Sequence, residues 1–335
     1  MLSGHDTRAD VRGFLSRQGL LMAGEEVTLT PLTGGVSSDL WKAELPGRTV
    51  CVKGALAKLR VEQDWRAPVS RNRIEYDWLR FAAGVCPGQV PRALARDDEA
   101  GLFAMEFLAP EQYPVWKAQL LAGRVDAGAA RLVGDLVGRL HAASAADPES
   151  PRRFATDDNF DILRIEPFLR VTAGAHPDLR ERFAAVAATT AGTRLAVVHG
   201  DVSPKNILLG PGGPVLLDAE CAWFGDPAFD VAFCLTHLLI KAVKLPGHAT
   251  ELCQAAHALV DGHARHIDWE PPADFAERVT RLVPTLALAR VDGTSPAEYL
   301  DTRQRQRVRA LGRALVRHPA RTVGEMLTGW TATTV

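Results

Sequence analysis

The segment VVHGDVSPKNILLG, residues 197–210, places an acid, Asp201, five positions before an amide, Asn206, just after a short apolar run. Shortly beyond it, Asp218-Ala219-Glu220 adds two more carboxylates. An amide oxygen and two carboxylates are hard donors of the kind that hold Mg²⁺, an ion that keeps several waters and completes its shell from phosphates. Asp201 precedes them, where a carboxylate can accept a hydroxyl proton and orient that oxygen toward phosphorus. The chemistry this predicts is phosphoryl transfer from a nucleotide to a small hydroxylated molecule. Asp201 is the candidate catalytic residue, and Asn206, Asp218 and Glu220 are the candidate metal ligands.

These side chains need a scaffold that gathers them. ILLG and PVLLD read as two short strands joined by Pro211-Gly212-Gly213. With the turn centred on Gly212, Asn206 falls opposite Asp218, about 4.5–5.5 Å away at Cβ. In an extended segment Glu220 then shares the side of Asp218. Farther upstream, VTLTPLTGG, SSDLWKAEL and RTVCVKGAL, with a Pro46-Gly47 turn, read as a β-meander. The alternation of Thr49, Cys51 and Lys53 puts Lys53 on one strand face. Between the first two strands, Gly34, Gly35, Ser37 and Ser38 form a loop able to turn backbone N–H groups toward phosphates. No GxxxxGK[ST] is present, so a P-loop is excluded. Ser70 is placed to cap a helix carrying Ile74, Trp78 and Phe81, and QVPRALARD and GLFAMEFL add two strands. After APEQYP the chain turns to long Ala/Leu/Arg helical stretches, interrupted by one hairpin. The expected organisation is α+β, with a small β-rich N-terminal lobe over 1–108, a larger, mainly helical C-terminal lobe over 109–335, and a cleft between them.

With HGD-x4-N followed by D-x-E, the sequence resembles the aminoglycoside phosphotransferase and choline kinase-like family over roughly residues 27–240, and the nearest branch resembles methylthioribose kinase. The latter likeness rests on KGALAKLRVEQDWRAPVSRNRIE, residues 53–75, and on DAECAWFGDPAFD, residues 218–230. The resemblance implies the bilobal protein-kinase-like fold, with ATP and Mg²⁺ as cofactors. It implies that Lys53 holds the α/β-phosphates and pairs with Glu75. Glu106 and Leu108 fall where the family's hinge contacts adenine through its backbone. It also implies roles for Asp201 in catalysis and for Asn206 and Asp218 as Mg²⁺ ligands. Protein kinases carry DFG where this chain has Asp218-Ala219-Glu220, which argues against a protein substrate. Trp65, Arg66, Arg71 and Arg73 are candidates to reach phosphates or substrate. Asp230 and His199 are expected to support the loop around Asp201.

The totals narrow the partners. A formal net charge of -1 provides no field for nucleic acid or an anionic membrane. Ten-residue apolar runs such as VAFCLTHLLI are far short of the roughly 20 residues of a membrane span. The opening MLSGHDTRADVRGF carries no apolar signal-peptide core, and five cysteines form no CxxC pair, which predicts a cytoplasmic protein; a monomer or homodimer is the expected assembly. From residue 231 onward 13 Lys and Arg face 10 Asp and Glu, so the acidic field a polycationic aminoglycoside would favour is missing. That count leans toward a neutral or weakly charged sugar or polyol, methylthioribose-like, as acceptor. The alternatives are an aminoglycoside O-phosphotransferase and a nucleotide-binding pseudokinase without turnover. The run of arginines from Arg303 to Arg317 reads as a solvated helix face.

Overall fold

Branched and aromatic residues alternate with polar ones through the first third of the chain, and they build an antiparallel sheet. In the computed structural model, which describes residues 7–32, 38–56 and 68–332, β1 (Thr28–Leu32), β2 (Ser38–Leu45), β3 (Arg48–Ala55), β4 (Ala93–Asp97) and β5 (Leu102–Glu106) lie in the order β1-β2-β3-β5-β4. The strand β3 is central, so its middle residues, Val50 to Lys53, are buried on both faces. Val50 and Val52 pack with Val11, Phe14 and Leu15 of the Thr7–Arg17 helix, an element without a counterpart in the sequence reading. By the two-residue alternation of a strand, Cys51 and Lys53 face the other way, toward the Arg71–Val85 helix.

That helix departs from expectation in two respects. Ser70 occupies the position before it with helical dihedrals and makes no side-chain cap bond. The buried face runs through Asn72, Glu75, Trp78, Leu79 and Ala82, whereas Ile74 and Phe81 are half-buried. Glu75 is therefore at the centre of the buried face, drawn there by a charged partner rather than by hydrophobicity.

The chain divides into two compact units, Met1–Ala109 and Pro110–Val335. The second is mainly helical. Its Ala228–Lys244 helix is buried along nearly its whole length, between the Ala249–Ala264 and Pro272–Asp292 helices. Two small strand pairs are set into this unit. One is the expected hairpin, β7 (Ile207–Gly210) with β8 (Gly213–Leu216); the other joins β6 (Ala196–Val198) to β9 (Trp223–Gly225). The second pair was not foreseen, because a three-residue strand is too short for periodicity to reveal. The arginine-rich Thr302–Arg317 helix begins with an Asp301/Gln304 capping box. Its arginines are not simply solvated: Arg309 pairs with Asp292, and Arg313 and Arg317 share Asp178. Among the described residues, no helix is long and apolar enough to cross a membrane.

Candidate active site

In the N-terminal unit, Lys53 Nζ lies 2.6 Å from Glu75 Oε2, with side-chain exposures of 4% and 1%. Meeting this closely, the two opposite charges offset part of each other's cost of burial. Asn72, one turn before Glu75, donates from Nδ2 to the carbonyls of Lys53 and Gly101 and so ties the helix to the end of the strand. Beside the pair, burial pushes the Cys51 thiol up to about 12, so it stays protonated. Ser38 opens β2 across from Ala55, and its buried Oγ has no hydrogen-bond partner among the described residues. Gly34, Gly35, Ser37, Trp65 and Arg66 lie outside the described residues. Glu106 closes β5 and accepts at Oε2 from the backbone N–H of Arg92; Leu108 follows, half-buried. Arg71, a candidate for phosphate or substrate, is instead fully buried and donates to the carbonyls of Leu56 and Pro68. Arg73 points to Asp77, 3.6 Å away, from an exposed position.

In the C-terminal unit, β6 delivers the chain into His199-Gly200-Asp201, and the loop is fastened from several sides. Asp230, in the first turn of the Ala228–Lys244 helix, accepts at Oδ1 from Gly200 N–H at 2.8 Å. Its Oδ2 accepts from His199 N–H at 2.7 Å. The same oxygen is 3.1 Å from His141 Nε2. His199 spans the loop, with Nδ1 accepting from Asp201 N–H at 3.1 Å and Nε2 donating to the Leu217 carbonyl at 3.1 Å. Burial holds this imidazole below its ordinary value, hence neutral. The supporting roles expected of Asp230 and His199 are thus visible as bonds. Gly200 has a positive φ of +78°, and a Cβ there would come within 2.8 Å of Cys221 Cβ, so no other residue fits without displacement.

Asp201 is 5% exposed. Its Oδ2 takes Arg164 Nη2 at 2.9 Å and Lys205 Nζ at 3.0 Å, while Oδ1 is buried with no hydrogen-bond partner among the described residues. Burial alone would raise this carboxyl. Lys205 and Arg164 outweigh burial and the nearby Asp218, and hold it below its usual range. Neither cation was singled out from sequence. Lys205 sits inside the HGD-x4-N motif in a chain with few lysines, a signal that was available. Arg164 comes from a wide-turn π-helix, Asp161–Arg170, interrupted by Pro167, and nothing in its local sequence marks it. It also donates to the Gly200 carbonyl from Nε.

The hairpin register corrects one expectation. The loop is Pro211-Gly212 alone, so Ile207 pairs with Leu216 and the carbonyl of Asn206 accepts from Leu217 N–H at 2.9 Å. Asn206 therefore lies opposite Leu217, not Asp218. A one-residue shift ordinarily turns a side chain to the other face of a strand. Here Asp218 leaves the strand with φ +67°, the one positive value among the described non-glycine residues, so strand alternation no longer governs its direction. Asp218 and Glu220 both act electrostatically on Arg164, and Asp218 acts on Asp201 and Lys205 as well, so these charges share one neighbourhood. The Asn206 amide nitrogen donates to the Asp201 carbonyl at 3.2 Å, which leaves its oxygen as the group's acceptor. Among the described residues no three His, Cys, Asp or Glu side chains converge as a metal cage. An amide oxygen with two carboxylates is a partial set, suited to a hard cation that also binds phosphate oxygens.

Comparison with known proteins gives the arrangement its relatives. The sequence pattern of the phosphotransferase enzyme family matches residues 28–249. A methylthioribose kinase of Pectobacterium atrosepticum is 25% identical over 224 residues, which cover 59% of this chain and 56% of that one. The chain thus spans little more than half the length of that relative. Among solved structures, a choline/ethanolamine kinase family protein from Mesorhizobium loti superposes with a TM-score of 0.55 at 19% identity, covering 97% of this chain and 99% of its own. An amicoumacin kinase in complex with AMP-PNP and Ca²⁺ does so with a TM-score of 0.56 at 13% identity, covering 96% of each chain. These likenesses show the bilobal kinase-like fold.

Proposed function

The chain belongs to the phosphotransferase enzyme family, and we propose that it is a small-molecule kinase that transfers the terminal phosphoryl group of ATP to a hydroxyl of a sugar- or polyol-type metabolite. The observation that carries this reading is the state of Asp201. One carboxylate oxygen is neutralised by Arg164 and Lys205, and the other is buried and without a hydrogen-bond partner among the described residues. A carboxylate held low is a weak base. Its contribution is to keep an acceptor hydroxyl hydrogen-bonded at Oδ1 with the oxygen's lone pairs directed outward. It takes the proton only as the O–P bond forms. Lys53, held by Glu75, supplies a fixed ammonium for the α/β-phosphates. Ser38 and the 34–37 residues supply donors to the same phosphates, and the backbone of Glu106 and Leu108 serves adenine. Asn206, Asp218 and Glu220 present the oxygens for a divalent ion, Mg²⁺ in this reading, which would offset phosphate charge when bound. Most of the rate enhancement then comes from positioning and charge neutralisation.

ADP release with Mg-ATP across sugars, polyols, amino alcohols and aminoglycosides tests the reading, with Asp201→Asn as control. Acceptor-dependent release that is lost in the variant is expected. Release that survives Asp201→Asn undiminished removes the role given to that residue. Acceptor-dependent release with aminoglycosides alone would shift the reading to an antibiotic-modifying kinase.

A further inference from the structure

The whole-chain charge count says nothing about where the cations sit, and in the C-terminal unit several gather on one side of the Asp201 loop. The Ala228–Lys244 helix starts with Asp230 on that loop and carries Phe233, His237 and Lys241 at four-residue spacing along one face. Arg164, which holds Asp201, lies over the Phe233 ring at 5.7 Å, and Phe233 meets the His237 ring edge-on at 5.2 Å. Lys241 comes next. It is 1% exposed, its Nζ makes a 3.4 Å contact with the His237 carbonyl, and no carboxylate lies within ion-pair distance of it among the described residues.

Four neighbours complete the group. Lys117, on the Trp116–Leu121 helix that packs against the Pro204–Asn206 turn, shares the Tyr299 ring with Lys241, at 5.7 and 5.2 Å from its centroid. Glu298 is held by Lys117 at 2.5 Å. Arg290 donates from Nη1 to Ser295 Oγ at 2.9 Å, and its buried Nε has no hydrogen-bond partner among the described residues. The Tyr299 hydroxyl is likewise buried with no hydrogen-bond partner among the described residues. Arg290 lies within electrostatic reach of Asp201 and Arg164, which places the group beside the catalytic carboxylate. Among the described residues, Glu298 is the one carboxylate within ion-pair distance of Lys117, Lys241 or Arg290. Two of the cations and one hydroxyl have bonding capacity that the described residues leave unused.

We propose that this cluster is the acceptor subsite and that it takes a hydroxylated molecule bearing an anionic group, a carboxylate or a phosphate, bound by Lys241, Arg290 Nε and the Tyr299 hydroxyl. The inference rests on the kinase reading above and narrows its acceptor class. Burying an ammonium without an anion is unfavourable, and a bound anion removes that penalty while satisfying the two orphaned donors. Burial, with Lys117 and Arg290 nearby, pushes Lys241 down to about 7, the signature of a cation missing its counter-charge. The same field works against an acceptor whose recognition group is an amine.

The test uses one scaffold in four forms: glycerol, glycerate, glycerol phosphate and serinol. Their binding to the full chain is measured by calorimetry, with ADP release followed in parallel. At least one of the two anions is expected to bind about tenfold or more tightly than glycerol or serinol, and which one it is distinguishes carboxylate from phosphate recognition. Lys241→Met and Arg290→Gln are expected to abolish that preference. Lys241→Met should leave thermal stability equal or higher, because it removes an unpaired buried charge. Equal binding of all four compounds, no binding of either anion at tens of millimolar, or an anion preference that survives both substitutions overturns the proposal. Binding is read independently of turnover, so anion-selective binding without ADP release would leave the anion subsite standing and count against phosphoryl transfer to these four compounds.

Discussion

Asp230 offers a quantitative test of how the Asp201 loop is held. Its carboxylate accepts two backbone N–H groups, from His199 and Gly200, and faces His141 Nε2, all within 3.1 Å and at 1% exposure. In Asp230→Asn one oxygen becomes an amide nitrogen. The least damaging orientation keeps the oxygen toward His199 and His141 and turns the nitrogen toward Gly200, donor against donor. One charge-assisted bond, worth about 1.5–3 kcal/mol, is then lost, and Gly200 N–H is left buried without an acceptor at about 1–3 kcal/mol. Allowing for overlap between these losses, about 3–4 kcal/mol of stability should disappear. Asp230→Ala should cost more, because both N–H groups lose their acceptor. Urea unfolding of the two variants measures this, and ADP release should fall with the displaced loop. A loss below about 1 kcal/mol in Asp230→Asn, or an alanine variant no worse than the asparagine one, would refute the account of the loop.

Three further outcomes follow from the geometry. Breaking the Lys53–Glu75 pair singly, by Glu75→Leu, should cost about 3–5 kcal/mol, while the double change with Lys53→Met should cost less than the two single changes summed; a double-mutant cycle in urea decides, and strict additivity would count against the pair. Gly200→Ala combines a left-handed backbone with contacts of 2.8 and 2.9 Å to Cys221, so a loss of at least about 2 kcal/mol is expected by thermal or urea unfolding, and a variant of wild-type stability would contradict so close an approach of the two segments. Asp226, fully buried beside Arg278, is pushed up from the ordinary 3.8 to about 6 by burial. A carboxyl raised on folding binds its proton more tightly in the folded state, so its contribution is complete below about 4 and is lost as pH rises through 6. Relative to Asp226→Asn, the wild type should therefore lose up to about 3 kcal/mol between pH 4 and 7, and parallel stability curves for the two proteins would argue against it.

Much of the candidate site was legible in the sequence because its motifs reside in short-range order. HGD-x4-N, the D-x-E beyond the hairpin and the strand alternation that turns Lys53 away from Val52 are set by spacing along the chain, and so is the change from β-rich to helical texture near residue 108. The pairing of Lys53 with Glu75 across two elements was legible only through family resemblance, and the packing reason for it, a glutamate at the centre of a buried helix face, was not. Tertiary structure decided the rest. Whether Asn206 faced Asp218 or Leu217 depended on one loop residue, and the positive φ of Asp218 has no local signal that a turn-forming aspartate lacks. Arg164 reaches Asp201 only because a π-helix brings it there. Lys117, Lys241, Arg290 and Tyr299 come from four separate segments, so their common field exists only once the chain has packed. Sequence spacing determines which groups can act together within one element. The burial that sets their charge and hydrogen-bonding capacity is a property of the assembled core.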